Sequence, residues 1–187
     1  PASVLAFIEN HDTDRFLGEG QNFAMLKQAT TLLLTTRRIP QLYYGTEIMM
    51  NGTKSKSDGY VRCDFPGGWA GDKQNAFTAG GRTEQQNECY NFYKTILNWR
   101  KGNDVIAKGS MTQFMVQNGV YAYARQYEGK TVFVMLNGTD NETTLPLKFY
   151  KEILKDTTQG KDILSGRTIS FTEDLKMAPR ESLVIEL

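Results

Sequence analysis

Around residue 103 the spacing of apolar residues changes from a helical period to a period of two, and this change constrains the fold more than any other feature of the chain. Before it, residues 21–36 place Phe23, Leu26, Ala29 and Leu33 three or four apart, the pattern of a helix with one buried face. Residues 83–100 open with Thr83-x-x-Gln86, a capping box, and carry Cys89, Phe92, Tyr93, Ile96, Leu97 and Trp99, which predicts a second helix. A short apolar strand precedes each helix: residues 3–8, and residues 39–45 with Pro40 near the start, where its missing N–H is tolerated. A Gly-rich polar loop over residues 47–81 separates the second strand from its helix.

After Lys101-Gly-Asn-Asp104, residues 111–116, 120–127 and 131–136 alternate or run apolar, broken by Asn118-Gly119 and Glu128-Gly129, and a last strand covers residues 182–187. The fold class is therefore α/β plus all-β: two β/α units over residues 1–103, then a small antiparallel β domain over 104–187. No low-complexity linker separates them, so close packing is expected. Two β/α units leave strand edges and an apolar face uncovered, and the first half reads as part of something longer.

Composition excludes several functions. Lys plus Arg (22) nearly cancels Asp plus Glu (21), and no basic run interleaves with aromatics, so a nucleic-acid partner is not expected. No 18-residue apolar run reads as a membrane span, and the N-terminus lacks the pattern of a signal peptide. Cys63 and Cys89 have neither CxxC spacing nor a nearby histidine, which argues against zinc; a disulfide stays open. The Asn-x-Thr triplets at Asn51, Asn137 and Asn141 would accept glycans only in a secreted eukaryotic protein.

The sole histidine lies in Phe7-Ile-Glu-Asn-His-Asp-Thr-Asp-Arg15, where the first strand ends. An amide, an imidazole and a carboxylate there can bind sugar hydroxyls, hold a metal or move a proton. Metal is the poorest fit, because neighbours on an extended chain point to opposite sides and no second histidine exists. The bland reading remains a polar loop whose Asp12 caps a helix. Arg15 either supports the carboxylate or anchors the loop, and Asp14 reads as a helix-start residue.

Two motifs in order add to this. Phe7-Ile-Glu-Asn-His-Asp12 followed by Pro40-Gln-Leu-Tyr-Tyr-Gly-Thr-Glu47 resembles the last two signature strands of the α-amylase family of (β/α)8 glycoside hydrolases. Asp58-Gly-Tyr-Val-Arg-Cys-Asp-Phe-Pro-Gly-Gly-Trp69 is similar to the neopullulanase and cyclomaltodextrinase branch, including starch-using enzymes of Bacteroidetes. The resemblance implies the last two β/α units of such a barrel followed by an antiparallel β-sandwich C-terminal domain. It implies part of a retaining α-glucan hydrolase cleaving α-1,4 bonds of maltooligosaccharides, cyclodextrins, pullulan or starch. Such chemistry needs a nucleophilic carboxylate and an acid/base; by resemblance both lie upstream, so this stretch alone is expected to be inactive.

In that frame Asp12 is the transition-state stabiliser and His11 a sugar ligand. Arg62, Asp64 and Trp69 are expected at the substrate, with Arg62 and Asp64 bracing one another and Phe65 and Trp69 forming an aromatic wall. Asn10 positions the turn, and Arg15 supports it. Tyr43 and Tyr44 alternate on a strand, so one at most faces the site, and Glu47 is structural. The expected partners are an α-glucan oligosaccharide and the upstream part of the same barrel; a homodimer stays open. No cofactor is expected. The resemblance allows calcium in the complete enzyme, with no site evident here, and implies a bacterial protein of the periplasm or cytoplasm. The rival is a non-catalytic carbohydrate-binding or assembly module using Phe114, Tyr121, Tyr123, Tyr127 and Phe133 as a sugar platform, against which alternation puts most of them in a core.

Overall fold

The computed structural model describes residues 4–20 and 22–187; Ser3 and Gln21, the first residues of the first predicted strand and helix, lie outside them. Strand β1 (Leu5–Ala6), helix α1 (Phe23–Thr35) and strand β2 (Ile39–Pro40) form a βαβ unit in which the strands pair in parallel, Leu5 opposite Ile39. Both strands are shorter than the apolar runs predict. Each has a single neighbour, so the ladder covers two residues and the chain then turns away.

Helix α1 starts where the Asn22 side chain accepts the Met25 N–H, and it buries Phe23, Leu26, Leu33 and Leu34. Thr31 and Thr35 are buried on it as well, their hydroxyls bonding back to Lys27 O and Thr31 O at 2.8 and 2.6 Å. The long loop contains a short helix α2 (Asp58–Val61), capped by Ser57. Helix α3 (Glu84–Arg100) has both halves of the predicted Thr83–Gln86 capping box. Helices α1 and α3 meet through a 2.7 Å hydrogen bond between Thr30 and Tyr93, over a core of Leu17, Phe23, Leu26, Met49 and Cys89.

The remainder is mostly antiparallel β-structure with few helices. Helix α4 (Asp104–Lys108) leads into β3 (Ser110–Gln113), β4 (Val120–Tyr127), β5 (Lys130–Asn137) and β6 (Thr143–Leu145). Helix α5 (Lys151–Leu154), β7 (Gln159–Asp162), β8 (Thr168–Ser170), β9 (Leu175–Met177) and β10 (Ser182–Glu186) follow. Six strands form one sheet in the order β3-β4-β5-β10-β7-β8, and β6 pairs with β9 in a second. The two predicted tight turns carry positive φ at both central residues, 49° and 76° at Asn118-Gly119 and 47° and 77° at Glu128-Gly129. This is the twist that matches a hairpin.

Alternation along the central strands fills both faces of the large sheet. Val120, Ala122, Phe133, Met135, Leu183 and Ile185 join the core that includes Leu145, Tyr150 and Met177. Tyr123, Val132, Val134 and Val184 face the other way, onto Val105 and Ile106 of α4 and the Trp99 ring of α3. Of the five aromatic residues that could have made a sugar platform, Tyr123 and Phe133 are fully buried and Phe114 packs edge-on to Tyr150 with ring centroids 4.9 Å apart, while Tyr121 and Tyr127 are half-buried against the helix-facing core.

The helix-facing side of the sheet joins the two parts. Arg125 is fully buried and donates to Thr35 O at 2.7 Å, Ile106 O at 2.8 Å, Gly109 O at 2.9 Å and Ser110 O at 3.0 Å. Tyr123 hydrogen-bonds the Thr35 hydroxyl, and Arg100 donates to Leu34 O. The last carbonyls of α1, which a helix cannot satisfy itself, are thus capped by cations from α3 and β4. Both cysteines are free, Cys63 exposed and Cys89 buried. Among the described residues no helix is long and apolar enough to cross a membrane.

Candidate functional site at the end of the first strand

Past β1 the chain folds into a tight turn. The Asn10 side chain accepts the Asp12 N–H at 2.8 Å, and the Asn10 backbone N–H donates to the Thr13 hydroxyl at 3.0 Å. Such a side-chain turn reverses the backbone over two residues. His11 and Asp12 therefore do not point apart as on an extended strand: His11 Nε2 lies 3.1 Å from Asp12 Oδ2, with both side chains more than half exposed.

The loop that follows β2 lies against this turn. Arg62 caps the end of α2, and its Nε donates to His11 O at 2.9 Å while Nη2 reaches Asp12 Oδ1 at 3.1 Å. Asp58, one turn earlier, also approaches Arg62 Nη2 at 3.7 Å. Lys54 donates from its backbone to Asp14 Oδ1 at 2.6 Å and from Nζ to Asp12 O at 3.1 Å. Solvated pairs of this kind add little stability, but they fix orientation. The result is a solvent-facing carboxylate with an imidazole on one oxygen and a guanidinium on the other. The spare lone pairs on its oxygens can accept hydrogen bonds from a polyol, and the imidazole and guanidinium can donate them.

Beneath the turn lies a buried charge pair. Glu9 and Arg15 are each 2% exposed, with Arg15 Nη1 3.4 Å from Glu9 Oε1. Glu9 also accepts from the Phe16 N–H and the Thr46 hydroxyl. Arg15 donates to Val61 O at 3.1 Å and Tyr44 O at 2.6 Å, and its guanidinium sits 4.0 Å from the Tyr43 ring centroid and 4.9 Å from that of Tyr44. Three chain segments, the ends of β1 and β2 and the last turn of α2, converge on this pair.

Several expectations are corrected. Arg62 is not braced by Asp64; it pairs with Asp12 and Asp58, because α2 turns its C-terminal residue back toward the first strand. Asp64 and Trp69 are exposed and make no hydrogen bond or ion pair to Asp12, His11 or Arg62 among the described residues. Phe65 stacks on Phe77 at 4.6 Å rather than forming a wall with Trp69. Asp14 does not start a helix but holds the Lys54 N–H. Arg15 is neither solvated nor a partner of Asp12. Tyr43 and Tyr44 lie beyond β2, edge to face at 4.7 Å, so alternation does not apply and both rings contact Arg15. Glu47 falls in a 3-10 turn over Thr46–Ile48 and borders a cleft with Tyr90 and Lys94, away from the turn at Asp12. Among the described residues no group of three His, Cys, Asp or Glu side chains is placed to hold a metal ion. Sequence reasoning passed over Glu9; the available signal was a carboxylate directly after the apolar run 4–8, six residues before an arginine.

Residues 111–186 match the family described as the Cyclo-malto-dextrinase C-terminal domain. Over 179 residues the chain is 30% identical to an α-amylase of Niallia circulans, covering 90% of this chain and 30% of that relative. It is 32% identical over 179 residues to a cyclomaltodextrin glucanotransferase of Bacillus sp. (strain 6.6.3), covering 90% of this chain and 22% of that enzyme. The chain thus spans less than a third of the length of these curated relatives. An Anoxybacillus α-amylase superposes on all of this chain with a TM-score of 0.78 at 20% identity, using 38% of its own length. A Geobacillus thermoleovorans α-amylase does so with a TM-score of 0.72 at 22% identity, using 39%. At these identities the superpositions establish a shared fold. Over residues 111–186 the chain thus matches the cyclomaltodextrinase type of C-terminal domain, and over most of its length it is similar to parts of α-amylases and cyclomaltodextrin glucanotransferases.

Proposed function

We propose that the chain supplies one wall of the active site of a retaining α-glucan hydrolase, of the neopullulanase and cyclomaltodextrinase branch, that cleaves α-1,4 bonds of maltooligosaccharides, cyclodextrins, pullulan or starch. The observation that carries this reading is the Asp12–His11–Arg62 cluster at the carboxyl end of β1, the end at which parallel β/α architectures gather function. Residues 1–103 are read as the last two β/α units of a (β/α)8 barrel and 104–187 as the appended β domain. Leu5 and Ile39, about half exposed, and Phe7, 44% exposed, support that reading, since parallel strands are ordinarily covered on both faces. The nucleophile and acid/base would lie on strands outside these residues.

In the mechanism, Asp12 accepts hydrogen bonds from hydroxyls of the sugar being cleaved, and these strengthen as the ring distorts toward the oxocarbenium-like transition state. His11 donates to a hydroxyl of the same sugar. Arg62 holds Asp12 in place and exchanges part of its contact to substrate. Asp64 and Trp69, on the same long loop, are assigned to more distant sugar units. Replacing Asp12 with Asn in the complete gene product is expected to lower kcat on maltoheptaose by at least ~10²-fold with an unchanged circular dichroism spectrum. Near-normal turnover by the folded variant would refute the assignment.

A further inference from the structure

The turn that presents Asp12 is shaped by its own short-range hydrogen bonds through Asn10 and Thr13, while its outward contacts, to Arg62 and Lys54, are exposed. What ties the whole turn to the rest of the fold lies below it. Among the described residues the buried charges there are Glu9 and Arg15, and they are joined to the segments that frame the site. Glu9 takes the Phe16 N–H, which closes the loop that carries Asn10, His11 and Asp12, and the Thr46 hydroxyl, which follows β2. Arg15 takes Tyr44 O, also after β2, and Val61 O, one residue before Arg62. The backbone of Arg15 adds a 3.0 Å hydrogen bond to Gly52 O at the start of the long loop. Asp12 and Arg62 are thus set relative to each other through one buried carboxylate and one buried guanidinium.

We propose that Glu9 is a positioning residue, acting through Arg15 to hold Asp12 and Arg62 in the register that substrate requires. This rests on the active-site reading above. Without its charge Arg15 would be a buried cation lacking a counter-ion, and the segments it ties would relax away from one another. A displacement of about 1 Å at a reacting group is enough to cost on the order of 10²-fold in rate.

The test uses the complete gene product with maltoheptaose. Glu9→Gln keeps the shape and removes the charge, while one of the two acceptor oxygens, which take Phe16 N–H and the Thr46 hydroxyl, becomes an amide donor. It is expected to lower kcat about 10- to 100-fold, with KM changed less than about threefold, and to lower Tm. The double variant Glu9→Gln/Arg15→Met removes the stranded cation, so Tm should recover while kcat stays low. A residue with a merely structural role would recover both together, and that outcome overturns the proposal, as does an unchanged kcat in folded Glu9→Gln. If Glu9→Gln does not accumulate folded, Arg15→Lys carries the test: it keeps the charge but loses the fork to Val61 O and Tyr44 O, and the same fall in kcat is expected, full activity being the refuting result. Asp12→Asn, measured alongside, separates the two ideas. Loss of activity there with normal Glu9 variants sinks only the positioning role, whereas normal activity in Asp12→Asn sinks the active-site reading.

Discussion

Burial governs the chemistry of Cys89 more than its sequence neighbours do. Its thiol packs against Thr46 O at 3.6 Å, and desolvation, with the nearby Glu47 carboxylate, pushes its pKa up to about 12 from an ordinary 9.0. The folded chain therefore holds a proton that the unfolded chain releases. The associated stability is complete below pH 9 and is lost as pH rises toward 12. Tyr44, Tyr93, Tyr121, Tyr123 and Tyr150, all raised by burial, add losses of the same sign as pH approaches 10, and Arg125, lowered to about 10 by burial, opposes them, so the share of Cys89 is read as a difference between the native chain and a variant lacking the thiol. In urea denaturation between pH 9 and 10, stability should fall less steeply in Cys89→Ala than in the native chain, the difference in slope approaching ~1.4 kcal/mol per pH unit. At this scale the residue types at the site, Asn10, His11, Asp12 and Arg62, could be read from the sequence. It did not give their pairing. Arg62 could not be assigned to Asp12 over Asp64, because 50 residues of chain separate the first pair and the bond exists only once α2 has folded back.

Elements followed local chemistry closely wherever that chemistry is self-contained. The capping box at Thr83 formed because both of its hydrogen bonds lie within one turn, Gln86 N to the Thr83 hydroxyl at 3.2 Å and Thr83 N to the Gln86 side chain at 2.9 Å. Thr83→Ala should lower stability by ~1 kcal/mol, read as a shift of the thermal or urea midpoint without a change in slope. The hairpins at Asn118-Gly119 and Glu128-Gly129 likewise appear where their turn residues stand. Strands β1 and β2 are the exception. Their apolar runs are six or seven residues long, yet a strand is completed by its neighbours, and each has one. The length of a parallel strand is a property of the sheet, which local sequence does not encode.

Across the whole molecule, the junction between the β/α part and the antiparallel part turns on Arg125. Its guanidinium satisfies carbonyls from the end of α1, from α4 and from the start of β3, and no solvent reaches it. Arg125→Met should therefore cost about 3 kcal/mol, because four buried acceptors lose a charged donor together. Calorimetry is the measurement: a single transition is expected for the native chain, and a lower, broadened or split one for the variant. Close packing of the halves was legible from the lack of a linker, whereas this arginine was not, since an arginine inside the alternating run 120–127 reads as a solvent-facing position.

The sequence by itself determined the change of period near residue 103, the two main helices with the capping box of the second, the hairpin turns and the residue types of the strand-end motif. Each depends on contacts a few residues apart, or on a pattern that repeats along the chain. Tertiary structure alone decided that Arg62 serves Asp12 and that Glu9 and Arg15 form the buried floor beneath the turn. Those outcomes depend on burial and on partners 6 to 51 residues distant, where the chemistry of a side chain is fixed by what folding brings against it.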